Sequence, residues 1–140
     1  VVGAAQAWLA GLEGRWRLSR RIDDRAGDQS GRLSGTATWT RDGDLWRQDE
    51  AGTLHLGAAP PLTATRSYLW RADGARVAVA FADGRPFHAF DPARPTARHD
   101  CAPDVYRVAY DLADPDDWTA VWEVRGPRKD YTMTSCYTRP

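Results

Sequence analysis

Hydrophobic and polar positions follow two different periods along this chain. Over Ala4–Leu12 (AAQAWLAGL) the spacing is helical. Trp8, Leu9 and Leu12 fall on one stripe, and alanine supports helix elsewhere. Gly11 and Gly14 end that segment. From Arg15 onward the period is two. Trp16, Leu18 and Ile22 alternate with Arg15, Arg17 and Arg21, and Leu33, Gly35, Ala37 and Trp39 alternate with Arg32, Ser34, Thr36 and Thr38. Short strand-like runs follow at Leu45–Glu50, Thr53–Leu56, Thr63–Trp70, Arg76–Phe81 and Pro86–Phe90, then at Val105–Leu112, Trp118–Val124 and Tyr131–Thr138. They are rich in β-branched and aromatic residues, so the pattern predicts an all-β chain of about ten strands behind one short helix.

The connections carry turn chemistry. Asp42-Gly43, Asp73-Gly74 and Asp83-Gly84 are Asp-Gly pairs, which favour tight hairpins, and Gly27–Gly31 and Glu50–Gly52 also read as turns. Sequential hairpins imply an up-and-down antiparallel meander, with no room for the crossover helices of a parallel sheet. The longest irregular piece is Asp91–Pro103, whose three prolines argue against a central strand. It reads as a flap over an open mouth.

Composition narrows the function classes. A chain of 140 residues suits one domain, 1–140, and its zero formal charge offers no basic face for nucleic acid. No run is apolar and long enough to span a membrane as a helix. Val1–Leu12 lacks the basic start and apolar centre of a secretory signal, so a cytoplasmic location and reduced Cys101 and Cys136 are the expectation. Seven tryptophans imply a broad core or an aromatic-lined cavity. Trp46 and Trp118, taken as exposed, are the expected seed of a homodimer.

Gly14-Arg15-Trp16 at the first strand and Tyr137-Thr138-Arg139 at the last resemble the ends of calycin barrels: lipocalins, fatty-acid-binding proteins and nitrobindin-like proteins. The resemblance implies an indole plugging the barrel floor, a guanidinium stacked on it, and first and last strands lying side by side. Trp16 and Arg139 are therefore the expected structural pair. A two-sheet sandwich is the alternative, but the helix-first order, the hairpins and the Trp16/Arg139 pairing favour a single closed antiparallel barrel, its helix capping one end. Three segments (Phe81–His88, His99–Tyr106 and Gly126–Tyr131) are similar to a family of small bacterial proteins known only as a domain of unknown function, which implies no activity. The calycin likeness implies a small molecule held inside the barrel.

Strand parity nominates the lining. Arg66, Tyr68 and Trp70 share one face, as do His88 and Phe90; Tyr106, Val108 and Tyr110; Trp118, Ala120 and Trp122; and Tyr131, Met133, Ser135 and Tyr137. Such a cavity suits a partly aromatic, anionic ligand. Arg66, Arg85, Arg128 and Lys129 are the expected charges, and Tyr68, Trp70, Phe90, His99 and Trp122 complete the expected binding set. A second reading is a cofactor-free isomerase, cyclase or dehydratase. His88 is then the general acid/base, Tyr106 or Tyr131 donates to a developing oxyanion, and Arg85 holds a carboxylate. A third is an interaction protein that uses an Arg128–Tyr131 rim.

Other chemistries fit less well. His99-x-Cys101 lacks the paired spacing of a zinc site, and His99 is expected to pair with a carboxylate and anchor the flap. Haem would need a proximal imidazole from His55, His88 or His99, with no attachment motif present. Without a Gly-x-Ser-x-Gly elbow, a serine hydrolase is disfavoured. The expectation is no metal and no cofactor.

Overall fold

The computed structural model describes residues 3–140; Val1 and Val2 of the single-domain reading lie outside the described residues. Helix α1 spans Ala4–Leu12 and buries Ala5, Leu9 and Leu12, one residue per turn on one stripe. Ten strands follow: β1 (Gly14–Asp24), β2 (Gln29–Asp42), β3 (Leu45–Leu56), β4 (Leu62–Asp73), β5 (Arg76–Phe81), β6 (Pro86–Phe90), β7 (Thr96–Cys101), β8 (Asp104–Asp114), β9 (Asp117–Arg125) and β10 (Asp130–Thr138).

All ten belong to one antiparallel sheet of order β6-β5-β4-β3-β2-β1-β10-β9-β8-β7. The first and last strands are paired, from Arg17↔Thr138 to Asp24↔Tyr131, so the meander curls into a nearly closed barrel. The two edge strands, β6 and β7, share no ladder. Side chains close this seam: His88 bonds Tyr110 at 2.7 Å, and Phe87 packs edge-on to His99 with ring centres 5.1 Å apart. The Asp-Gly turns form as the sequence predicts, with Gly43, Gly74 and Gly84 at φ of +60°, +61° and +90°.

The strand count agrees with the sequence, but two errors offset each other. Glu50–Gly52 is not a turn, and β3 runs unbroken through it. Gly52 faces Gly35 across the ladder, where a Cβ on Gly35 would run into the Ala51 carbonyl. These glycines let two backbones approach closely inside strands. The other error is the flap. Asp91–Pro103 contains β7, because Pro95 and Pro103 bracket the strand and leave its own amides free to pair with β8.

The two ends differ. Trp16, Trp39 and Trp118 fill one end, with ring centres 5.7–6.4 Å apart, and Trp8 of α1 covers Trp118 at 6.2 Å. Trp16 donates to the Leu12 carbonyl at 2.8 Å. The Arg139 guanidinium lies 3.8 Å from the centre of the Trp16 ring and donates to the carbonyls of Gly11, Glu13 and Arg15. The Trp16/Arg139 expectation is met. Trp46 and Trp118 are only 1% and 2% exposed, which corrects the homodimer seed. Both have inward parity, and their area is already buried in the floor.

Candidate functional site

Above the tryptophan floor the barrel is hollow. A cavity of about 260 Å³ opens toward the end formed by the β5–β6, β7–β8 and β9–β10 turns. Its walls follow from alternation, since every second residue of each strand points inward.

The deepest polar feature is an ion pair absent from the sequence-based set. Arg20 and Glu50 are 7% and 5% exposed. Arg20 meets both Glu50 oxygens, Nη1–Oε1 at 3.0 Å and Nη2–Oε2 at 2.9 Å, in a bidentate fork. Its Nε donates to the Ser135 hydroxyl at 2.7 Å. Glu50 Oε2 also accepts from Gln48 and from the Tyr137 hydroxyl, each at 2.9 Å, and Gln48 accepts from the Trp70 indole at 2.7 Å. Burial acts to lower the Arg20 pKa, but Tyr137 and Glu50 outweigh it and hold the guanidinium charged. Burial and then Glu50 raise the Tyr137 phenol. The positive charge of Arg20 is thus answered inside the protein.

At the mouth, Arg66, Tyr68, Tyr106 and Tyr131 line the cavity with Phe81, Phe87, His99 and Trp122. Phe87 stacks on Trp122 at 5.0 Å with their planes 7° apart. Arg66 is exposed and makes no ion pair among the described residues, which sets it apart from Arg20. Burial raises the pKa of both Tyr68 and Tyr131, with Arg66 opposing in each case, so both phenols are protonated donors at neutral pH.

His88 is 9% exposed, and its Nε2 meets the Tyr110 hydroxyl. Burial, with a smaller contribution from His99, pushes its pKa down to about 3. The ring is neutral at physiological pH, and its Nδ1 is buried without a partner among the described residues.

The structure gathers eight of the nominated residues around this cavity: Arg66, Tyr68, Trp70, His88, His99, Tyr106, Trp122 and Tyr131. Four lie elsewhere. Arg85 is exposed, paired with Asp83 at 2.7 Å and lying over the Phe81 ring. Phe90 is fully buried below the cavity, 4.4 Å from the Tyr110 ring. Arg128 is exposed on the β9–β10 turn. Lys129, on the β9–β10 turn, does not line the cavity and donates to the Tyr106 hydroxyl at 2.9 Å. Each displaced cation sits in or beside a turn, where side chains follow no sheet parity. His99 packs against aromatic rings and anchors no flap, while Asp100 is taken by Arg98 at 2.9 Å. His55 lies on the outer surface.

Sequence reasoning missed Arg20, Gln48 and Glu50. Arg20 shares the parity of Trp16, Leu18 and Ile22, which was a readable signal. Both cysteines are free. Among the described residues no three His, Cys, Asp or Glu side chains are grouped to hold a metal ion, and no helix is long and apolar enough to cross a membrane.

A family model described as a family of unknown function, DUF6314, matches residues 12–139. The chain belongs to this family. The matched span takes in both Trp16 and Arg139, so the family's extent coincides with the barrel and its closure. No curated protein matches the sequence. Among solved structures, the fold is similar to the S-type phycobiliprotein lyase CPES from Guillardia theta. The TM-score is 0.71 at 9% identity, over 96% of this chain and 91% of that one. Two designed barrels match at a TM-score of 0.47 and 13% identity. One is the redesigned barrel mFAP1 bound to DFHBI (94% of this chain, 97% of that one), and the other is a de novo fluorescence-activating barrel (99% and 100%). These likenesses concern the fold.

Proposed function

We propose that this protein binds a small, partly aromatic anion in its barrel, with the acidic group at the mouth and the ring system inside. One observation carries the reading: two arginines line the cavity, and only the inner one has a counter-ion among the described residues. Arg20 is neutralised by Glu50, whereas Arg66 makes no ion pair there and stands beside protonated phenols. Phe87 and Trp122, stacked on each other, offer flat apolar surface in the same cavity suited to a planar guest. The cavity volume suits a compact ligand.

The reading is binding without turnover. A His88 held near pKa 3 is a poor general base at neutral pH, and its Nε2 is committed to Tyr110. Haem is not the proposed ligand, because His55 lies outside, His88 is so engaged, and the His99 ring is packed edge-on against Phe81 and Phe87.

Two dyes test this. 8-Anilinonaphthalene-1-sulfonate and N-phenyl-1-naphthylamine share one ring skeleton and differ by the sulfonate. In fluorescence titrations the sulfonate dye is expected to bind more tightly, and Arg66→Gln to weaken it by about tenfold, the value of one charge-assisted contact. Equal affinity for the two dyes, or an unchanged Arg66→Gln variant, overturns the anionic reading.

A further inference from the structure

The β9–β10 turn is more elaborate than a hairpin requires. Gly126 and Lys129 close it through a backbone hydrogen bond of 2.8 Å. Gly126 lies so close to Asp104 that a Cβ there would run into the Asp104 carboxylate. That carboxylate, 16% exposed, accepts from Lys129 at 3.2 Å. The turn therefore fixes the chain's single lysine with its Nζ 2.9 Å from the Tyr106 hydroxyl.

An ammonium group has three donors and no acceptor, so Tyr106 must accept from Lys129. The phenol proton is then left to donate elsewhere. Among the described residues Tyr106 makes no other side-chain hydrogen bond, and it lines the cavity with Arg66 and Tyr131. Lys129 itself does not line the cavity. We propose that Lys129 is a positioning residue: it acts through Tyr106, fixing that phenol as a donor to the acidic group that Arg66 attracts. The inference rests on the binding function proposed above and adds a head-group specificity. The ligand atom favoured at Tyr106 is an acceptor such as a carboxylate or sulfonate oxygen, since Lys129 already occupies one acceptor position of the phenol oxygen and leaves its proton free.

The same dyes read this out in Lys129→Gln, Tyr106→Phe, the double variant and Lys129→Arg. The sulfonate dye is expected to lose about fivefold in affinity in either single variant. The double variant should lose no more than one single, because Lys129→Gln releases and Tyr106→Phe removes the same oriented donor. Lys129→Arg, another donor-only cation, should restore binding. The neutral dye should bind all variants alike, which also reports that the barrel is folded. Equal weakening of both dyes by Lys129→Gln makes the lysine merely structural and overturns the proposal. Additive losses mean that Lys129 acts on the ligand directly, which also overturns it. Arg66 separates the two levels. If Arg66→Gln weakens the sulfonate dye and Lys129→Gln does not, the positioning role fails while the binding function stands. If Arg66→Gln changes nothing, the binding function itself fails.

Discussion

The two ends of this barrel are built from the same strands by the same alternation, yet one is solid and the other hollow. At the closed end inward positions carry tryptophan, and α1 lies over them. At the mouth they carry tyrosine, histidine and arginine, and no described element lies over them. Each end has a guanidinium, Arg139 below and Arg66 above. Arg139 lies over an indole and bonds three carbonyls, so its donors are used within the fold. Arg66 has no such set. A cation's partners therefore distinguish a structural arginine from one available to a ligand, although both read alike in the sequence.

The sharpest way to break this comparison is at the floor. Trp16→Ala removes a fully buried indole and its bond to Leu12, and should cost about 3–5 kcal/mol in urea denaturation. A cost below about 1 kcal/mol would mean the closed end does not anchor the fold.

The middle of the barrel responds to pH. His88 has a folded pKa of about 3 against an ordinary 6.5, so between these values the unfolded chain binds more protons. Stability is full above about pH 6.5 and falls as the pH drops toward 3, by up to about 1.4 kcal/mol per pH unit. His88→Gln should flatten urea midpoints between about pH 7 and pH 5, above the range where carboxylates protonate. A wild-type midpoint that is already flat there would show His88 to be freely protonated in the folded state.

The smallest effect separates the two arginines. Arg139→Ala should cost about 1–2 kcal/mol through the lost cation–π contact and hydrogen bonds. Arg66→Gln should stay within about 0.5 kcal/mol of wild type in thermal or urea unfolding. Equal costs would erase the distinction between the ends.

The closed end was the more legible half of the sequence. Gly14-Arg15-Trp16 and Arg139 name the floor, and Asp-Gly pairs mark three hairpins. Parity also put Tyr68, Tyr106, Trp122 and Tyr131 on the inner wall, because a two-residue period leaves only two choices. What escaped has physical causes. A charged Arg20 among apolar neighbours is expected to face water, and only a partner from another strand makes it welcome inside. Glu50 was obscured by Gly52, which resembles a turn residue but serves a close backbone approach. Strand β7 was hidden by the prolines that flank it. Arg85, Arg128 and Lys129 have no legible direction in the sequence because a turn has no parity to place them.

The seam between β6 and β7 has a mechanical consequence. Neighbouring staves are joined by nine hydrogen-bonded ladders, and the remaining joint is an aromatic clasp with one side-chain hydrogen bond, His88 to Tyr110. Spreading the hoop there breaks no ladder; it parts the His88–Tyr110 bond and slides rings past one another. Since Phe87 and His99 belong to both the clasp and the chamber wall, a bulkier guest would widen the vessel at its clasp.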